Sequence, residues 1–307
     1  MTTQTADDPL VRYTEGIPER PMPDAVLAAR RDVMAAVNDL ATIKDADLEK
    51  TWAWKGDSEI ELRYAFYRIF EDFERAAIDA EAALRASNLE RGRAADLIAP
   101  STAARWDLQG ILVQLPDAAW DADPGGGEWT LRQTLGHIIG GQRGYAAATA
   151  WWQAQGLPVD ANLPTARPNV YEALPSDEEE EAGTPNELRA RLDEVLDRST
   201  ERLAGLPPDR LAYGTRWVGF ALDIGFRLGR WSSHIREHTV QVEKTLVMIG
   251  QTPTEVDRLI RLILAAWGQA EAVVYGSVDG GEAVAALAAA AARARATAAE
   301  TAGLARG

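Results

Sequence analysis

The chain contains no cysteine. That excludes disulfides, a thiolate nucleophile and thiolate metal ligands, so any metal has to be held by histidine, aspartate or glutamate. Histidine is nearly as scarce, with three in 307 residues. Long apolar runs are also missing: none approaches the ~18 to 20 residues of a spanning helix, and no basic stretch leads into an apolar one near Met1. A cytoplasmic protein with no membrane partner is expected. Positive charge is in deficit, since Lys+Arg 32 against Asp+Glu 47 leaves a net charge of −15. That balance argues against a nucleic-acid partner. Strand-like alternation bounded by hairpin turns is absent as well, and the expected fold is all-α.

What is present fits that expectation. Residues 1–23 hold four prolines without sustained periodicity and read as an extended or disordered arm. Apolar residues at Val26, Leu27, Val33, Met34, Val37 and Leu40 repeat with a helical period and open an N-terminal helical segment, 24–98. Within it Ser58-Glu-Ile-Glu61 reads as a capping box, starting a helix through Phe66, Ile69, Phe70 and Phe73 to about Leu89. Its aromatic face must be buried on something, and a homodimer is one candidate. After Pro100 a helix runs through Trp106, Leu108 and Ile111 and stops at Pro116. Residues 121–127 are glycine-rich but lack the Lys and Ser/Thr of a phosphate loop, so they read as a turn.

Thr130 and Gln133 form a second capping box, opening a helix to about Gln155. The Gly140-Gly141 pair inside it allows a kink or a close helix crossing. Residues 156–183 are polar and proline-rich and end in Ser176-Asp-Glu-Glu-Glu-Glu181; so long a connection is a lid or a disordered insertion. Thr184-Pro-Asn-Glu187 opens the next helix, to Leu203. Residues 218–249 read as one long helix stopped by Gly250. These helices make a bundle unit over 99–250, followed by a C-terminal part, 251–307. That part holds a helix from Thr252 to about Tyr275 and an Ala-rich, frayed helical tail.

Two of the three histidines sit in Trp231-Ser-Ser-His234-Ile-Arg-Glu-His238-Thr-Val-Gln241. Four residues are one turn plus ~40° of a helix, so both imidazoles can point at one spot. His137 lies in another helical segment, Thr130-Leu-Arg-Gln-Thr-Leu-Gly-His137. Taken singly, a helical histidine is more often a surface or capping side chain. Together, three neutral nitrogens with a fourth position open are what a catalytic divalent cation needs, if the three residues meet.

Glu128-Trp-Thr-Leu-Arg-Gln-Thr-Leu-Gly-His137, followed about a hundred residues later by Trp231-x-x-His234-x-x-x-His238-x-x-Gln241, resembles the DinB-like (DinB/YfiT-like) superfamily. The resemblance covers roughly Ser101 to Gly250. It implies an antiparallel four-helix bundle, here with additional N-terminal and C-terminal helices. It also implies a divalent metal, Zn or Ni foremost, held by His137, His234 and His238. Several characterised members use a low-molecular-weight thiol such as mycothiol or bacillithiol in isomerisation or S-transfer. The resemblance therefore implies a small-molecule substrate and a thiol cosubstrate. A metal-dependent hydrolase using bound water, and a non-enzymatic stress-response or binding bundle, are the alternatives.

A rival pattern is His234-Ile-Arg-Glu-His238 read as the His-x-x-Glu-His of inverted zinc peptidases. It would make Glu237 a general base and Glu271 the nearest further ligand. It requires a sheet and leaves the Trp129–His137 segment unexplained. Glu237 and Gln241 are thus weak catalytic candidates, with a solvated carboxylate and a core amide as the plainer readings. Trp129 and Trp231 read as core or as walls of the site. Arg230 and Arg236 read as solvated or paired, or as contacts for an anionic substrate.

Overall fold

Helices carry most of the described residues. The computed structural model describes residues 8–54, 59–89, 91–160, 162–165, 168–277 and 280–306. In order come α1 (Pro9–Tyr13), α2 (Asp24–Leu40), the β1 (Thr51–Ala53) and β2 (Glu59–Glu61) pair, and α3 (Arg63–Ala86). Next are α4 (Arg93–Ile98), α5 (Pro100–Leu112), α6 (Asp117–Trp120), α7 (Leu131–Gln155), α8 (Asp177–Glu181) and α9 (Pro185–Leu203). The antiparallel β3 (Gly214–Trp217) and β4 (Phe220–Asp223) then lead into α10 (Ile224–Met248), α11 (Glu255–Val274) and α12 (Gly281–Arg306).

Four of these, α5, α7, α9 and α10, surround one core that includes Leu108, Leu135, Ile138, Leu192, Leu196, Trp231 and Ile235. Side-chain pairing fixes their directions. Arg105 meets Asp193 and Asp197 while Gln109, one turn on, meets Arg189 and Asp193, so α5 and α9 run oppositely. Gln142 donates to Trp231 O while Thr149 meets Arg227, so α7 and α10 do too. This is the antiparallel bundle that one apolar stripe per helix favours.

The flanking helices build a second core rather than decorating the first. On α3 the buried positions Phe66, Ile69, Phe73, Ala76, Ala80 and Leu84 follow a helical stripe. They pack with α2, α11 and α12, and Phe73 meets Trp267 edge-on at 5.4 Å between ring centroids. Each large side chain so buried contributes roughly 1.5–3 kcal/mol. The aromatic face suggested for a dimer is covered from within the chain. The Ala-rich tail is likewise no frayed end. Ala283, Leu287, Ala290, Ala291, Ala294, Ala298 and Ala302 are all buried, and small side chains let α12 lie close to α2 and α3.

Other expectations are corrected by local chemistry. Ser58 lies outside the described residues, and Glu59–Glu61 is β2, hydrogen-bonded to β1, so the helix opens only at Arg63. The long helix does not begin at 218. Val218 and Gly219 both have positive φ, +47° and +87°, the backbone of a tight hairpin turn, and Asp223 caps α10 by accepting from Phe226 N at 2.7 Å. Residues 8–23 of the arm are seated on the bundle: Asp8 pairs with Arg198, and Arg20 N donates to Glu201 O at 2.8 Å. The described residues of 156–183 are also held. Arg143 grips Glu180 at 2.6 Å, and Arg191 donates to the carbonyls of Glu180 (2.6 Å) and Ala182 (3.0 Å). Ser176 caps the acidic run, which becomes α8. Among the described residues no helix is long and apolar enough to cross a membrane.

Candidate metal centre

The capped start of α7 places His137 two turns into the helix, facing α10. His234 and His238 come from consecutive turns of α10. Their available ring nitrogens and that of His137 all lie within 4.8 Å of one another. His137 Nε2 and His234 Nε2 are 3.4 Å apart. A tetrahedral ion with ~2.0–2.1 Å bonds to nitrogen has an edge of roughly 3.3–3.4 Å, so this pair is already at ligand spacing.

The surroundings fit the same use. Gln241, one turn beyond His238, has its Oε1 at 2.8 Å from His238 Nδ1. An amide oxygen can only accept, so Nδ1 carries the proton and Nε2 is left free to ligate. His234 is held from the opposite helix. A Cβ at Gly141 would stand 2.5 Å from His234 Cε1, so only glycine leaves room for the ring. Gln142 Nε2 bonds Trp231 O at 3.1 Å and lies 3.4 Å from His234 Nδ1. Tyr145 meets His234 edge-on at 5.1 Å. Trp129 covers the outer side, 4.9 Å from the His137 ring and nearly parallel to His238 at 6.4 Å. It is 39% exposed, so the cluster reaches the surface there.

Electrostatics favour the neutral form of His234 and His137, as ligation requires. Burial, reinforced by His238 and His137, pushes the His234 pKa down to about 3. Burial and then His238 lower that of His137, against a small opposing pull from Asp177. A histidine whose folded pKa lies below its unfolded value of ~6.5 leaves the unfolded state binding more protons in between, so stability falls as pH drops through that window. The metal-free protein is expected to lose several kcal/mol, in order of magnitude, between about pH 6.5 and pH 3. Thermal melts against pH check this. His234→Gln should flatten the slope, and an equally steep slope in that variant would count against it.

The remaining candidates separate from the cluster. Glu237 lies on the solvent side of α10 and makes a two-pronged pair with Arg230, at 2.6 and 2.7 Å. Arg236 lines a different groove, beside Arg85, Arg91 and Gln269. Glu271 is buried against Arg30 and Arg105 between the two helical cores, which removes it as a metal ligand. Trp231 is fully buried core. Gly141, Gln142 and Tyr145 were missed as site residues, although i+4 and i+8 put Gly141 and Tyr145 along the face of α7 that carries His137.

Compared with known proteins, residues 101–242, a little under half of the chain, match the family model of the DinB superfamily. The matched segment contains all three histidines and α5 to most of α10. No curated protein and no solved structure matches the chain.

Proposed function

We propose, for a chain that belongs to the DinB superfamily through residues 101–242, an enzyme that works with one divalent metal ion on His137, His234 and His238. The reading rests on one observation above all: three imidazoles from two helices converge, their ring nitrogens within 4.8 Å of one another, with no carboxylate among them. An ion held by three neutral ligands keeps its full charge and supplies Lewis acidity toward a thiol or water nucleophile. Imidazole donors suit Zn and Ni, as they do Fe and Cu.

The chain's own residues do the positioning. Gln241 holds the His238 tautomer, Gly141 admits His234, and Trp129 offers an apolar wall to a substrate entering from solvent. With no cysteine in the chain, a sulfur nucleophile has to arrive as a low-molecular-weight thiol. The likeness of residues 101–242 to the DinB superfamily is what favours S-transfer or isomerisation of a small molecule as the reaction class. The test is metal analysis of untagged protein together with a reactivity panel run with and without added thiol. About one equivalent of metal is expected in the wild type and under about a tenth in His234→Ala. Equal, near-zero content in both would overturn the reading. Turnover of esters or amides without thiol would replace the transferase with a hydrolase.

A further inference from the structure

At the ends of α5 and α10 and the start of α11, the helices leave a hollow of about 260 Å³. Helices α5 and α11 touch at Gly110, where a Cβ would stand 2.8 Å from Arg261 Cα, and the hollow opens beside that contact. Its walls are Ile111, Leu115, Pro116, Leu246 and Val247. Val247 is 77% exposed, so the apolar surface continues out to solvent. None of the three histidines borders the hollow, and neither do Trp129 and Gln241. A dry cavity of ~150 Å³ accepts benzene, so there is room here for a ring with a short chain.

The polar groups around the hollow decide which head such a molecule carries. Both of its acids are committed. Glu243 accepts from Arg261 Nη1 at 2.6 Å, and the same guanidinium holds Asp107 with bonds of 2.8 and 3.1 Å. Asp257 closes the cap of α11, accepting from Thr254 N at 2.8 Å. The uncommitted groups are donors. Gln114 Nε2 is shielded from water and has no acceptor. Arg258, exposed at the rim, makes no side-chain hydrogen bond or ion pair among the described residues. Its charge is felt by Asp45, which already accepts from the first two amides of α11 at 2.9 and 3.0 Å. Apolar walls with an unpaired guanidinium at the rim select an apolar body carrying an anionic head. We propose that the hollow binds a small amphipathic carboxylic acid, its ring or chain between Leu115 and Leu246 and its carboxylate at Arg258. Helix α10 belongs to the bundle core and α11 to the second core, so a bound acid ties the two together. The site is independent of the metal centre.

Four probes test this by calorimetry at constant ionic strength on the protein as purified: hydrocinnamate, the alcohol and the amine with the same phenylpropyl body, and acetate. Hydrocinnamate is expected to bind saturably, at least about fivefold tighter than the alcohol and the amine, while acetate does not. In Arg258→Met, which alters an exposed side chain, the acid falls to the affinity of the alcohol. Leu115→Trp, which fills the hollow, weakens all three phenylpropyl probes, whereas His234→Ala and Arg236→Met change nothing. Should Leu115→Trp not fold, Arg258→Met decides. The bound acid also raises the melting temperature of the wild type. No saturable binding, or wild-type affinity for the acid in Arg258→Met, would overturn the proposal. Equal affinity for acid and alcohol, or tighter binding of the amine, would overturn the anionic head, and acetate binding as tightly as hydrocinnamate would overturn the apolar body. Loss of binding in His234→Ala alone would place the acid at the histidines instead.

Discussion

Glu271→Gln is expected to lower the stability of this protein by about 3–5 kcal/mol, although it changes one atom and leaves the shape intact. Glu271 is completely buried where α2, α5, α9 and α11 meet. Arg30 holds it with two bonds, Nε to Oε2 at 2.7 Å and Nη2 to Oε1 at 2.8 Å. Arg105 Nη2 and Thr102 Oγ1 each donate to Oε1 at 2.6 Å. Asp197 closes the ring by accepting from both arginines and from the Tyr275 hydroxyl at 3.0 Å. Two arginines face Glu271 and Asp197, and Asp193, a third acid raised by burial, stands 3.5 Å from Arg105 Nε. Burial alone would raise Glu271 and Asp197 as well, yet the arginines outweigh it: Glu271 lies below its ordinary value and Asp197 falls to about 2.

Replacing the carboxylate by an amide removes one charge from that cluster. It leaves Arg30 and Arg105 sharing Asp197, with only Asp193 at 3.5 Å beside Arg105, and turns an amide donor toward guanidinium donors, which costs far more than the bond it loses. Denaturant unfolding checks it, read as a fall in midpoint at unchanged slope. A change under about 1 kcal/mol would mean that water reaches the junction and screens the charges. Because Arg30 comes from the N-terminal helices and Glu271 from the C-terminal ones, the network joins the ends of the chain to the bundle between them. The flanking helices therefore belong to the stability of the bundle and are not a detachable appendage.

How much of this was legible in the sequence depended on how local each cause is. The bundle helices and their caps were readable, because Thr130 with Gln133 and Thr184 with Glu187 satisfy their own helix ends within four residues. The histidine cluster was readable because the residue type is so rare here and the Trp129-Thr130 to His137 interval is distinctive. Glu271 was not. Its partners Arg105, Thr102 and Arg30 are 166, 169 and 241 residues away, so the same glutamate could be weighed as a peptidase ligand. The acidic run 177–181 misled for a similar reason. Its self-repulsion is a local property, while the relief from Arg143 and Arg191 comes from helices on either side. The β3–β4 turn escaped because Val218 adopts the left-handed region, which β-branched residues avoid. The alanines of α12 looked unable to form a core, since small residues bury little area each; they hold by close approach to α2 and α3.

Gly141 is the position where those local and distant causes can be told apart by a single methyl group. Gly141→Ala is expected to weaken metal binding by about 100-fold, comparable with losing a supporting hydrogen bond around a metal ligand. The new Cβ would sit 2.5 Å from His234 Cε1, 3.2 Å from Nε2 and 3.3 Å from Nδ1. The first contact is not tolerable and the other two are tight, and the ring is held by Tyr145 on one side and Gln142 on another. His234 must turn out of the cluster, or α7 and α10 must separate along their whole contact. Alanine is worth about 1 kcal/mol more than glycine inside a helix, so the fold itself has something to gain. That opposite sign separates the two roles. If the glycine is there for His234, the metal-free variant melts near or above the wild type while its metal affinity collapses. If it serves only the helix crossing, stability falls first and the affinity of what remains folded is unchanged. Competitive titration with a chromophoric chelator, alongside melts of the metal-free proteins, distinguishes the outcomes. A Gly141→Ala protein that binds metal as tightly as the wild type would mean that His234 is not a ligand.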